Sequence, residues 1–422
     1  MILYKGKIYG TEKTVDLLEK LKNDVDETLL NKSIDTERLI AAVDEISNRI
    51  SKGAYDKLIN EIDVDGLDEY VAAAAQMLHS DNLRLNIKAQ TPHLTELPDI
   101  NSYIAPVGAL FHIAAGNVDV LPAYSVLSGL VCGNVNILKL PSQDNGITVK
   151  ILSELIKIMP ELSDFIYVFD TPSSDLPSML KMAEAADKII VWGGDGAVAA
   201  VRRFAPPQIP VVSWGHKISF ACIGSDYEKR ADELYGLAEH IIKTSQLLCS
   251  SCQRIYINSG KPEDADGFCR FFLPILQKAR DKYPLKDLGA AAEATLLDLT
   301  AETEESIGGK PKNTARKYAG KGCSLTAKDE KTLEISGFFG NCDVTSCSLN
   351  ELFNVLREKK GYLQTATVIA DEKTRAEFEN IAVRAGVCRI TSPADMSRAF
   401  LGEAHDGQFE LSNYVRIINK EV

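Results

Sequence analysis

Between residues 103 and 224, short apolar stretches at Ala109–Ala115, Val135–Leu140, Phe165–Asp170, Lys188–Gly193, Pro210–Gly215 and Ser219–Gly224 alternate with helical stretches. This alternation limits the fold more than any other feature of the chain. Strands joined through helices require right-handed crossovers, so the region predicts a doubly wound α/β unit built on a parallel sheet.

The flanking sequence reads differently. Residues 11–89 are charged and helix-patterned, with Leu17, Leu18, Leu21 and Val25 on one face and a second run, Thr36 to Ile62, that Asp35 is suited to cap. This predicts an N-terminal helical segment over 1–90. From about 226 to 390 a second α/β region follows, with a strand at Leu363–Ala370 and a helix after Asp371. Within it, Glu302–Lys321 is polar, holds Gly308, Gly309 and Gly320, and reads as an exposed loop or short helix. A chain of 422 residues exceeds what one core supports, so two or three domains are expected.

A net charge of −12 argues against general nucleic-acid binding, which needs a basic face, and leaves room for a local basic pocket around an anionic cofactor. No run approaches the ~18 apolar residues of a membrane span. The opening Met-Ile-Leu-Tyr-Lys-Gly-Lys lacks a signal-peptide core, so a cytoplasmic location is expected. Nine cysteines, odd in number and irregular in spacing, then read as reduced thiols rather than a disulfide framework.

Cys249 stands out among them. Leu234, Leu237, Ala238, Ile241 and Ile242 recur at helical spacing before it, and Arg254-Ile255-Tyr256-Ile257 alternates like a strand after it. Cys249 therefore falls on the connecting turn, where it is either a displayed nucleophile or a small buried hydrophobe. Cys249-x2-Cys252 also has the form of half a zinc or redox site, for which Cys342-x4-Cys347 is a loosely spaced second pair. Three further segments suggest a nucleotide. Lys139 closes a strand before Pro141-Ser142, at the sheet edge where open α/β folds bind ligands. Gly193, Gly194 and Gly196 turn a strand into a helix, a geometry that suits a pyrophosphate or a simple tight turn. Asn117 follows the strand at 109–115 as either a turn residue or an oxyanion donor.

Taken in order, Ile104-Ala105-Pro106-Val107-Gly108, Ala115-Gly116-Asn117, Leu138-Lys139-Leu140-Pro141-Ser142, Gly193-Gly194-Asp195 and Cys249-x4-Arg254 resemble the aldehyde dehydrogenase superfamily. More narrowly, Gln246-Leu247-Leu248-Cys249-Ser250-Ser251, Tyr362-Leu363-Gln364-Thr365, Arg389-Ile390, His405-Asp406-Gly407 and Tyr414-Val415-Arg416 resemble the acyl-CoA reductases of the bacterial luminescence (LuxC) type, over about residues 100–420. The resemblance implies an aldehyde-dehydrogenase-like α/β fold. Its parts would be a Rossmann-type nucleotide-binding domain over 91–225, an α/β catalytic domain over 226–395, and a segment at 396–422 that returns to the nucleotide-binding domain.

The resemblance also implies roles. Cys249 would attack an acyl-CoA or other acyl thioester and expel CoA, leaving an acyl-enzyme for hydride to reduce to an aldehyde. Asn117 and the Cys249 backbone N–H would stabilise the oxyanion. Lys139 and Ser142 would hold the adenosine ribose, and Gly193, Gly194 and Gly196 would lie under the pyrophosphate. No metal is implied. A homo-oligomer is expected, with an acyl-activating enzyme as partner.

Two departures from the superfamily pattern matter. Ser213-Trp214-Gly215-His216-Lys217 stands where hydrolytic relatives carry Glu-Leu-Gly-Gly-Lys, so the base that activates water is missing and CoA becomes the expected acyl partner. Gln143 stands where NAD-preferring relatives often carry glutamate, which favours NADPH. Neither Phe338-Phe339-Gly340-Asn341 nor Glu334 matches the segment that contacts the nicotinamide ribose, so that role stays unassigned. The rival functions are an aldehyde dehydrogenase working oxidatively, whether CoA-acylating or hydrolytic, and a non-catalytic scaffold on the same fold.

Overall fold

A computed structural model of the chain describes residues 1–55, 75–95, 99–114, 120–141, 144, 146–285, 289 and 315–421. Two compact units emerge, one formed by Met1–Gly215 with Phe400–Val422 and the other by His216–Ala399.

In the first unit, strands β1 (Ile2–Tyr4), β2 (Lys7–Tyr9), β3 (Ile100–Pro106), β4 (Ala109–Ile113), β5 (Val135–Lys139), β6 (Ile166–Phe169), β7 (Lys188–Trp192) and β8 (Val211–Trp214) are present. All but β3 form one sheet in the order β2-β1-β6-β5-β4-β7-β8. Pairing from β6 through β8 is parallel. β4, β5 and β6 are buried along their whole length, as parallel strands covered on both faces must be. Three successive strands wind one way from β4 and the next two wind the other way. The switch point therefore lies between β4 and β7, and in such sheets ligands bind at the carboxyl ends of the strands beside it.

The helical segment expected at 1–90 is only partly helical. Helices α1 (Thr14–Asn31), α2 (Thr36–Ser51) and α3 (Ser80–Gln90) are present, with Asp35 accepting from the Glu37 and Arg38 amides as a cap. Residues 2–9, however, form a hairpin whose first strand pairs antiparallel with β6. Lys5 and Gly6 take φ of 46° and 71°, the left-handed pair that a tight hairpin turn requires. Strands of three residues are too short to show a period-two pattern. The apolar faces of α1 and α2 join the core of this same unit.

Helices α4 (Leu121–Val131), α5 (Ile147–Ile158), α6 (Leu176–Glu184) and α7 (Asp195–Phe204) complete the crossovers. Among the described residues no helix is long and apolar enough to cross a membrane.

The second unit holds β9 (Ile218–Ile223), β10 (Cys252–Ile257), β11 (Arg316–Ala319), β12 (Ser324–Ala327), β13 (Asn341–Ser346), β14 (Leu363–Ile369) and β15 (Arg389–Ile390), in the order β11-β12-β13-β10-β9-β14-β15. The strand expected at 219–224 thus exists as β9, but it sits at the heart of this second sheet rather than in the first. Periodicity reports a strand, not the sheet it joins. Helices α8 (Ala231–Lys243), α9 (Pro262–Lys282), α10 (Leu349–Glu358) and α11 (Glu372–Ala385) cover it. Of the polar segment at 302–321, residues 302–314 lie outside the described residues, and 316–319 form the edge strand β11. Finally β16 (Val415–Glu421), in the first unit, pairs antiparallel with β3 from Val415–Pro106 to Glu421–Ile100.

Candidate active site

The apolar stripe of α8 is fully buried, and the helix ends at Thr244. Ser245 and Gln246 then adopt φ of 47° and 61°, which reverses the chain. The Leu247 amide donates to Thr244 O, and the Ser251 amide to Leu248 O, before β10 begins at Cys252. This loop separates two thiols three residues apart. Cys249 is exposed, whereas Cys252 is wholly buried in the core.

Two strands fix Cys249. Ser219 Oγ on β9 donates to the Cys249 carbonyl at 2.7 Å and accepts from the Thr365 amide on β14 at 3.0 Å. The register slips on both sides of Ser219, between Cys252 and Arg254 on β10 and between Leu363 and Ala366 on β14. Such bulges re-aim side chains and gather near active sites. Here the slip on β14 presents Gln364, whose Nε2 donates to Cys249 Sγ at 3.3 Å.

A buried amide latches the loop from below. Gln246 Nε2 donates to Cys252 O at 3.1 Å and to Ser336 Oγ at 2.8 Å, and its Oε1 accepts from the Gly340 amide at 3.0 Å. Gln253 donates to Gln246 O at 2.7 Å and accepts from the Ser336 hydroxyl at 2.8 Å. The Phe339 amide donates to Ser245 O, and Arg280 Nη2 donates to Phe339 O at 2.7 Å. Among the described residues, six other than glycine have left-handed φ, and four of them, Ser245, Gln246, Phe338 and Phe339, lie in these two touching loops. Backbone strain collects where surrounding contacts over-determine it, commonly at functional sites. The segment at 338–341 thus supports the cysteine loop. Glu334 instead pairs with Lys359 at 2.7 Å.

Neighbouring titratable groups are structural. The Cys252 amide donates to His240 Nε2 at 3.2 Å, and burial pushes the His240 pKa down to about 4. Contact with Cys252 and burial raise the Cys342 thiol well above its ordinary range. Among the described residues no group of three or more His, Cys, Asp or Glu is placed to hold a metal ion. His216 is exposed, its ring 6.4 Å from that of Tyr362.

In the first unit, Lys139 ends β5 as a buried ammonium that donates to Ser173 Oγ at 2.8 Å, and desolvation lowers its pKa. After β7, Gly194 is the N-cap of α7 and gives its first amides no side-chain cap. A Cβ built on Gly194 or Gly196 meets nothing within 4 Å, and one on Gly193 would press Ala197 at 3.1 Å. The turn is therefore an open backbone cradle beside the switch point. Beneath it runs a buried polar rail. Trp192 Nε1 donates to Ser125 Oγ at 3.0 Å, the Ser125 hydroxyl meets His112 Nδ1 at 2.7 Å, and His112 Nε2 meets Asn136 Oδ1 at 3.0 Å. Trp192 stacks on Trp214 at 5.4 Å, and His405 packs against both rings. Asn117, Ser142 and Gln143 lie outside the described residues. Arg202 and Arg203 are exposed in the last turn of α7.

Burial also drives the His112 pKa down to about 4 from 6.5. His112 and His240 stay neutral in the fold and recover ordinary basicity on unfolding. The unfolded chain therefore takes up more protons below about pH 6.5, and stability falls progressively toward about pH 4. Glu410, buried against Tyr124 and Tyr414, has a raised pKa and acts in the opposite sense, contributing most at acid pH. Thermal unfolding across that window should show a net fall in Tm on acidification, with a shallower slope in His240→Gln.

Of the residues singled out in the sequence, Cys249, Lys139 and the glycine turn lie among the described residues, whereas the contacts that Ser219, Gln246 and Gln364 make around Cys249 were not foreseen. A glutamine in a strand that is otherwise apolar but for threonines was the available signal for Gln364.

The model of the family described as acyl-CoA reductase (LuxC) matches residues 14–417. A long-chain acyl-protein thioester reductase of Aliivibrio fischeri is 25% identical over 340 residues, 77% of this chain and 67% of that protein. Long-chain acyl-protein thioester reductase 2 of Photobacterium leiognathi is 25% identical over 324 residues, 75% of this chain and 64% of that protein. The chain thus spans about two thirds of the length of these relatives. Among solved structures, an indole-3-acetaldehyde dehydrogenase with NAD+ superposes with a TM-score of 0.71 at 12% identity, covering 98% of this chain and 89% of that one. A putative methylmalonate-semialdehyde dehydrogenase from Sinorhizobium meliloti with NAD gives 0.68 at 14% identity, covering 100% and 97%. At such identities the likeness shows the fold, which is that of the aldehyde dehydrogenases.

Proposed function

Because the chain belongs to the LuxC family of acyl-CoA reductases, we propose that it reduces an acyl thioester to an aldehyde through an acyl-cysteine at Cys249. The observation that carries this reading is the display of one thiol, Cys249, on a loop clamped by β9 and β14, while its neighbour Cys252 is buried.

The Cys249 thiolate attacks the thioester carbonyl, and the bond from that carbon to the departing sulfur breaks. The departing thiolate takes up a proton. Asn117 and the Cys249 backbone N–H are the expected donors to the oxyanion, and the Ser219 bridge to the Cys249 carbonyl holds the latter group in place. Lys139 and the open Gly193–Gly196 turn fit the ribose and pyrophosphate of a nicotinamide nucleotide, with Ser142 beside Lys139 in sequence. When bound, that nucleotide supplies hydride to the acyl carbon. Collapse of the resulting thiohemiacetal breaks the carbon–sulfur bond, frees the aldehyde and returns Cys249 as a thiolate. Ser213 on β8 offers no carboxylate to activate water, which favours reduction over hydrolysis.

NADPH is the proposed reductant, on the strength of the neutral Gln143. The acyl donor is proposed to be acyl-CoA. The curated relatives named above are acyl-protein thioester reductases, and thiol exchange at Cys249 is chemically the same from a protein thioester.

The test is oxidation of NADPH and of NADH against a panel of acyl-CoAs and an acylated carrier protein, with free thiol and aldehyde both quantified. Equal yields of NADP+, thiol and aldehyde are expected. Thiol release with carboxylate instead of aldehyde would overturn the reading in favour of a hydrolase.

A further inference from the structure

We infer that Gln364 is a catalytic hydrogen-bond donor to the sulfur of Cys249, separate from the donors that serve the carbonyl oxygen. The inference rests on the proposed chemistry at Cys249. β14 is buried throughout, and Gln364 is only 7% exposed within it. An amide in that position costs free energy unless it is hydrogen-bonded. The register slip opposite Ser219 re-aims this residue, and its Nε2 reaches Cys249 Sγ at 3.3 Å. The adjacent Thr365 amide holds the Cys249 carbonyl through Ser219 Oγ. Two consecutive residues of one strand thus grip both ends of the same cysteine.

A carboxamide neither gains nor loses a proton near neutral pH, so Gln364 is not a base. Its N–H favours the charged form of its partner and so stabilises thiolate over thiol. Sulfur carries negative charge at two moments of the proposed cycle. The first is before attack, when the free thiolate is the nucleophile. The second is at thiohemiacetal collapse, when the carbon–sulfur bond breaks and its electron pair returns to sulfur. The same N–H serves both, since the Ser219 bridge ties the Cys249 backbone to β14. In the acyl-enzyme between them the sulfur is a weak acceptor, so the donor adds little to the intermediate and more to the charged states on either side.

The test is the pH profile of Cys249 alkylation by iodoacetamide, read by mass spectrometry of the peptide that holds it. In the wild type the midpoint is expected below the value near 8.5 of a free cysteine. Gln364→Met, of similar size and without a donor, should raise that midpoint by about one unit and slow alkylation at neutral pH about tenfold. Gln364→Glu, which sets a carboxylate against the thiolate, should raise it further. Buried Cys252 serves as an internal control, because it is labelled only where the fold has opened. A wild-type midpoint at or above the free-cysteine value overturns the inference without recourse to any variant, as do variant profiles that coincide with the wild type. Alkylation needs neither acyl donor nor nucleotide. A shifted profile in a protein that reduces no thioester would therefore retire the reductase reading and leave the Gln364 contact standing. An unshifted profile in an active reductase would do the reverse.

Discussion

Cys249→Ala is expected to abolish the proposed thioester-dependent oxidation of the nicotinamide nucleotide, by about 10³-fold or more, because it removes the thiol proposed to accept the acyl chain. The loop should survive the change, since the contact that holds its backbone, from Ser219 Oγ to the Cys249 carbonyl, does not involve the thiol. Cys252→Ala should behave in the opposite way. It removes a buried sulfur from the core that also holds Leu234, Ile241 and Cys342, and is expected to lower stability while leaving turnover within about twofold. Steady-state rates together with trapping of the acyl-enzyme by mass spectrometry separate the two. Retained turnover in Cys249→Ala, or an acyl group found on Cys252, would move the nucleophile three residues along.

The largest expected effect on stability belongs to Gln246→Leu. The amide is fully buried and serves the Cys252 carbonyl, the Ser336 hydroxyl and the Gly340 amide. Leucine is similar in size, so the loss is polar rather than steric. It strands two buried backbone groups, at about 1–3 kcal/mol each, and relaxes the loops that hold Ser245, Phe338 and Phe339 in left-handed conformations. A decrease of about 3 kcal/mol in unfolding free energy is expected by urea denaturation, with turnover falling even where the protein is still folded. Unchanged stability would mean that the loop is held mainly by the Phe339–Ser245 and Arg280–Phe339 bonds instead.

The first sheet was legible because its central strands are buried on both faces and are mostly apolar, without a break in Ile166–Phe169 and broken only by Asn136 before the closing lysine in Val135–Lys139. β11 was not, because Arg316 and Lys317 give an edge strand the composition of a loop. The position of Cys249 could be inferred from the change of period around it. Its partners could not. Gln364 reaches Cys249 across 115 positions of sequence through a register slip, and nothing local encodes such a slip. The same holds for Ser219, an ordinary strand serine until two neighbouring strands bulge beside it.

The pairing of β16 with β3 also governs the order in which a nascent chain can finish folding. Ile104 finds its partner in Ile417, so on the ribosome its strand stays an open edge until the whole second unit has been synthesised. The second unit, a continuous stretch from His216 to Ala399, can close while the first still waits. Any stall or cleavage that leaves out the final strand would expose a backbone edge carrying Tyr103 and Ile104, both already exposed on their faces, to other chains in the cell.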